Sequence, residues 1–141
     1  MRTLQAVLGL SMAIVLSGVT AAKAQDPFLG KQEFLQRCAV CHGAEGAGDG
    51  PVGELFAIKP RDLRTLAREN GGTYPFARIY ATIDGRDRIP GHGGPEMPIW
   101  GDFLEAEALV EDRGISPEDA QMIASARIIA LTQYIGSLQL K

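Results

Sequence analysis

The chain has 141 residues and a formal net charge of −3 at pH 7, from 14 Lys and Arg against 17 Asp and Glu. This acidic balance lacks the basic stripe with which nucleic-acid-binding proteins neutralise phosphates, so a nucleic-acid partner is excluded. The length suits one small domain with a modest hydrophobic core.

The N-terminal residues have the layout of a secretory signal peptide. Arg2 gives a positive start, residues 6–19 are uncharged and mostly apolar, and Ala22-Lys23-Ala24 is a small-x-small cleavage site. The apolar run is shorter than the roughly 20 residues that a spanning helix needs, although an uncleaved anchor is the alternative. We therefore predict a signal peptide at 1–24 and one periplasmic domain at 25–141, without stable membrane insertion. Losing the two basic residues of the signal peptide takes the net charge from −3 to −5.

Start and stop signals predict a series of helices. Asp26 as a cap and Pro27 in the first turn begin the first helix. Ser116-Pro117, followed by two acidic residues, begins the last. The predicted helices span 27 to about 40, 63–69, 75 to a stop at Gly85, and 117 to about Leu138, with a short helix around 52–57 and a surface helix or loop over 102–112.

Glycine and proline predict the loops between these helices. The segments 43–53 and 86–100 are predicted to be irregular, and Pro60 makes 59–63 extended or turning. No strand pattern is present, so the predicted fold is all-α with long loops that wrap around something rigid. The last helix is expected to turn these side chains inward: Ile123, Ala130, Leu131, Tyr134 and Leu138.

The two cysteines lie three apart, in Cys38-Ala39-Val40-Cys41-His42. Thiols at this spacing reach the two vinyl groups on one side of a porphyrin, and the adjacent imidazole then points at the iron. A disulfide or a thioredoxin-like pair is the alternative, but the following histidine and the lack of a preceding strand count against it. A zinc site is short of donors, because only His92 remains to help. The motif therefore predicts one covalent haem c, with His42 as the proximal iron ligand.

For the sixth coordination position of the iron, the sequence leaves three options. Met97 lies in a proline- and glycine-rich loop that is not helix core, where a thioether needs a reason to face inward and iron supplies one, so Met97 is our preferred ligand. Methionine opposite histidine would raise the reduction potential and close the iron to external ligands. His92, five residues earlier in the same loop, is the rival, and an open site is the third option. Met122 has core-like spacing in the last helix and is predicted to pack there.

A wider pattern resembles the small monohaem class I cytochromes c. Gly30 and Phe34 precede Cys38 by eight and four residues, and Leu131 and Tyr134 match the paired positions of that family's last helix. The resemblance covers nearly all of 27–140 and implies the cytochrome c fold. In that fold the first and last helices cross at nearly right angles, the small glycine lets their backbones approach, and the two aromatic rings meet beside it.

The same resemblance implies two further site residues. Pro60 would be the loop proline whose carbonyl accepts the N–H of His42, with Pro51 as the alternative. Trp100, three residues after Met97, would pack near the haem and donate to a propionate, with plain core packing as the other interpretation.

Charged residues suggest two more roles. An acidic stretch at about 101–116 is longer than a minimal family member needs, and it is either a solvated face or a docking surface; its acids are Asp102, Glu105, Glu107, Glu111 and Asp112. Several arginines are candidates to neutralise the propionates or are plain surface charge: Arg61, Arg64, Arg78, Arg86 and Arg88.

Three functions follow from these observations. The first is a periplasmic electron carrier, not an enzyme, with redox proteins as donor and acceptor. The second is a haem c subunit that accepts electrons within a periplasmic dehydrogenase or oxidase. The third is a haem enzyme or gas-binding protein with five-coordinate iron, which the presence of Met97 disfavours.

Overall fold

The computed structural model describes residues 27–85 and 98–141, and every regular element in these two ranges is a helix. Helix α1 has three consecutive segments, α-helical over Pro27–Glu33, π-helical over Phe34–Cys38 and α-helical over Ala39–His42. The others are α2 (Leu66–Glu69), α3 (Phe76–Asp84), α4 (Trp100–Glu111) and α5 (Pro117–Ser137). Single 3₁₀ turns occur at Gly53–Leu55 and Leu63–Thr65. The predicted all-α class is confirmed.

Helix boundaries follow the signals in the sequence. The Ser116 hydroxyl accepts the backbone N–H of Asp119 at 3.1 Å, and Pro117 occupies the first helical position of α5. Gly85 ends α3 in the left-handed region, at φ 71°. The segment predicted as a surface helix or loop after Trp100 is the three-turn helix α4. The signal peptide at 1–24 lies outside the described residues.

Helices α1 and α5 pack with their backbones in contact. A Cβ added at Gly30 would lie 2.1 Å from the carbonyl oxygen of Ala130 and 2.9 Å from Cβ of Tyr134. One turn later the rings of Phe34 and Tyr134 meet, with centroids 5.3 Å apart and planes tilted by 54°. This confirms the predicted glycine approach and the aromatic pair beside it.

The hydrophobic core lies between α5 and the helices packed on it, α1, α3 and α4. On α5 the buried residues recur at helical spacing, so they define one inward face. The core side chains are Phe34, Leu66, Ile79, Ile83, Leu104, Ala124, Ile128, Leu131 and Ile135. Within the described part of the chain, no helix is long and apolar enough to cross a membrane.

Two predictions about α5 are wrong. Met122 and Ile123 were expected to face inward, but they are 65% and 41% exposed. The inward face in this half of α5 is set by Ala120 and Ala124, which are fully buried. These small side chains let α4 approach closely, and Met122, two residues from each of them, lies on the other side of the helix.

Candidate functional site

The two cysteines lie at the C-terminal end of α1, both as free thiols and both partly buried. Burial, together with a smaller contribution from the nearby charge of Glu33, raises the pKa of the Cys38 thiol to about 12. A redox-active thiol pair instead needs a lowered pKa, because the thiolate is the reactive form. The surroundings of Cys38 therefore suit a covalent anchor better than a thioredoxin-like pair.

The imidazole of His42 is oriented by a backbone carbonyl. Its Nδ1 lies 3.2 Å from the carbonyl oxygen of Arg61. A histidine whose Nδ1–H donates to a carbonyl presents Nε2 to a metal, and the hydrogen bond fixes both tautomer and ring orientation. This geometry matches the predicted role of His42 as proximal ligand of the iron.

The carbonyl at His42 belongs to Arg61 and not to Pro60, which corrects the prediction by one residue. The Pro60 carbonyl faces Gly48 instead, since a Cβ at that glycine would lie 2.4 Å from it. The Pro60 ring lies against Gly53, where an added Cβ would be 2.8 Å from Cγ of the proline. Pro60 therefore supports the loop that carries the accepting carbonyl.

The glycine-rich loop after the motif caps the end of α1. The N–H groups of Gly48, Gly50 and Val52 donate to the carbonyls of His42, Cys41 and Val40, at 2.8, 3.1 and 3.0 Å. The last carbonyls of a helix have no partners within it, so these bonds satisfy them. The loop thereby fixes the backbone that positions both thiols and the imidazole.

We expect Gly50→Ala to disturb this cap. A Cβ at Gly50 would lie 2.5 Å from the carbonyl carbon of Cys41 and 2.6 Å from the carbonyl oxygen of Ala39, and both are backbone atoms. Overpacking of this kind costs about 1–3 kcal/mol. Thermal unfolding and the haem content of the purified protein should both fall. Ala44→Ser, at an exposed position of the same loop, is the control; equal haem content in the two variants would contradict the capping role.

The residues of the site fit a covalently held haem. The fit rests on the free thiols of Cys38 and Cys41 and on the orientation of His42. In the chain that follows the capping loop, Leu55 and Ile58 are each 80% exposed. Both side chains are open to contact with an apolar group, and a porphyrin is such a group.

The predicted distal ligand lies outside the described residues. Met97, its rival His92, and Arg86 and Arg88 all fall in 86–97. The flanks of this segment are in contact, because a Cβ at Gly85 would lie 3.2 Å from Cα of Ile99. The described residues on either side of this segment therefore lie next to each other.

Trp100 is the first residue of α4 and is partly buried against the core. Its ring meets that of Phe103 edge-on, with centroids 5.4 Å apart and planes at 80°. The interpretation of Trp100 as a packing residue therefore has direct support. Its role at a haem propionate stays a prediction.

An ionic cluster that no sequence pattern predicted joins three helices. Arg127 donates to Glu33 at 2.7 Å and to Glu107 at 2.8 Å, and Arg37 donates to the same two carboxylates at 2.8 and 2.7 Å. We call these four residues, two of each charge, the ionic cluster. Of the ion pairs in this cluster, only Glu33–Arg37, four residues apart on α1, was predictable from sequence spacing.

The ionic cluster includes one carboxylate of the acidic stretch at about 101–116. Glu107 faces inward to the two arginines, so it does not belong to a solvated acidic surface. Burial opposes ionisation, but the hydrogen bonds from Arg37 and Arg127 outweigh it and hold the pKa of Glu107 below its ordinary value.

Two of the arginines considered for the propionates are paired with carboxylates. Arg61 pairs with Glu69, and Arg64 pairs with Asp62. A role for either one at a propionate would require it to share or exchange that partner.

Comparison with known proteins gives one positive result. The family described as Cytochrome c matches residues 29–139. No curated protein and no solved structure matches the chain.

Proposed function

The chain belongs to the cytochrome c family, and we propose that it is a periplasmic electron carrier whose haem iron is held between His42 and Met97. Members of this family bind haem c covalently and are generally electron carriers. The observation that carries the proposal is the end of α1, where two free thiols lie beside an imidazole whose Nδ1 is fixed by the Arg61 carbonyl.

The thiols and the imidazole have separate tasks. Cys38 and Cys41 would hold the haem covalently, each through addition of its S–H across one vinyl group. When bound, the haem supplies an iron centre that takes up and releases one electron. His42 would hold the iron through its imidazole, and Met97 would be the second protein ligand and raise the reduction potential.

The chain's own contribution is rigidity around that centre. The amides of the capping loop hold the motif, and the contact between Gly30 and Ala130 locks α1 onto α5. Close packing of this kind resists displacement, so both redox states keep nearly the same protein geometry. A small structural change on reduction favours fast electron exchange.

Met97→Ala tests the proposed axis. The oxidised wild-type protein should show the weak near-infrared band of sulfur-to-iron charge transfer, and the variant should lose it. Met122→Ala is the matched control, because this methionine is exposed on α5 and should leave the band unchanged. His92→Ala should also keep the band. A wild-type protein that lacks the band and binds carbon monoxide readily when reduced would overturn the carrier function.

A further inference from the structure

Helix α4 is apolar on two opposite faces. Its inner face is buried on α5 through Leu104 and Ala108. Phe103, Ala106 and Val110 follow one another at helical spacing on the opposite side, and we call these three the outer strip. Phe103 is 49% and Val110 73% exposed. A surface helix is ordinarily polar on its outward face. The exposed apolar side chains of the outer strip therefore indicate that a binding partner covers it.

The outer strip begins next to the haem attachment motif. The guanidinium carbon of Arg37 lies 5.5 Å from the ring centroid of Phe103, and Arg37 immediately precedes Cys38. The ionic cluster holds this arginine in place. A partner seated at the Phe103 end of the outer strip would therefore lie close to the haem attachment motif.

Carboxylates border the outer strip at both ends. Asp102 is exposed beside Phe103, and Glu111 and Asp112 are exposed beyond Val110; the exposed Arg113 follows them, so the border keeps a net charge of −2. Two copies of this chain placed strip to strip would bring these carboxylates together in either orientation, and like charges in contact are unfavourable. The border instead complements lysine or arginine side chains around an apolar centre.

We propose that the outer strip is the docking surface for a redox partner protein with an apolar centre and a basic rim. The partner covers Val110 and Phe103, and its cations approach Asp102, Glu111 and Asp112. Apolar contact supplies the affinity while the charges raise the encounter rate. Weak electron-transfer complexes typically use small interfaces. The inference rests on the proposed function.

The test uses a gold electrode coated with a mixed monolayer of methyl- and ammonium-terminated thiols as the probe. The haem-loaded protein is compared as wild type, as Val110→Ser and as Met122→Ser, an equally apolar exposed site on α5. Adsorbed mass is read with a quartz crystal microbalance, and the electron-transfer rate by voltammetry. Val110→Ser should lower adsorption affinity by about five- to tenfold, from the lost apolar burial, and Met122→Ser should leave it unchanged. Added salt should weaken wild-type adsorption.

Other outcomes overturn the inference or the function separately. Equal adsorption of the two serine variants would remove the outer strip as the docking surface. A wild-type dimer in sedimentation that Val110→Ser dissociates would make a second copy the occupant. If neither wild type nor the variants give a reversible voltammetric wave in free solution, the carrier function is overturned instead. The adsorption comparison would still decide whether the outer strip docks a basic surface.

Discussion

Gly30→Ala is expected to lower the free energy of unfolding by about 3 kcal/mol or more, at the upper end of what overpacking costs. The added Cβ would lie 2.1 Å from the carbonyl oxygen and 2.7 Å from the carbonyl carbon of Ala130. These are backbone atoms within α5, so relief requires the two helices to separate. Separation would also loosen the contact between Phe34 and Tyr134.

Denaturant unfolding of the haem-loaded protein measures this effect. Gly114→Ala is the control, because a Cβ there would meet only the Asp112 side chain, at 3.2 Å, in an exposed loop. The control should stay within about 0.5 kcal/mol of wild type. If Gly30→Ala unfolds at the same denaturant concentration as the control, the helices do not cross as closely as described.

The helices were predictable because local signals determine where they begin and end. Ser116 and Pro117 place the start of α5 through a cap, and Gly85 ends α3 through its left-handed backbone. Gly30 and Tyr134 were predictable from the family resemblance. The identity of the inward face near Met122 was not, because buried alanines define that face and alanine gives a weak hydrophobic signal.

Long-range polar contacts could not be predicted from the sequence, for a different reason. Arg127 and Glu33 are 94 residues apart in the chain, and no spacing rule relates side chains on different helices. The same limit explains the acceptor at His42, where the resemblance indicated Pro60 and the backbone presents the next carbonyl, that of Arg61. The position of the loop was predictable from the sequence, but the orientation of its peptide groups was not.

Arg127→Met is expected to lower the free energy of unfolding by about 3 kcal/mol at neutral pH, as when one partner of a buried ion pair is removed. Methionine keeps much of the apolar stem, so the loss reports the charge. Glu33, 5% exposed, and Glu107 would then depend on Arg37 alone. Urea unfolding of the haem-loaded protein at pH 7 measures the change. Lys59→Met is the control, because the pair between Lys59 and Glu54 is exposed on both sides and should contribute little.

The stability difference between wild type and Arg127→Met should shrink in acid. The pKa of Glu107 is lowered in the folded protein by hydrogen bonds from Arg37 and Arg127 that outweigh burial, so the unfolded chain takes up the proton first as the pH falls. The stabilisation is complete above the ordinary glutamate pKa of about 4.3 and is lost as the pH falls through the lower folded value. Repeating the urea series at successively lower pH should bring the two curves together. A difference that persists unchanged in acid would mean that Arg127 acts through the packing of its stem and not through its charge.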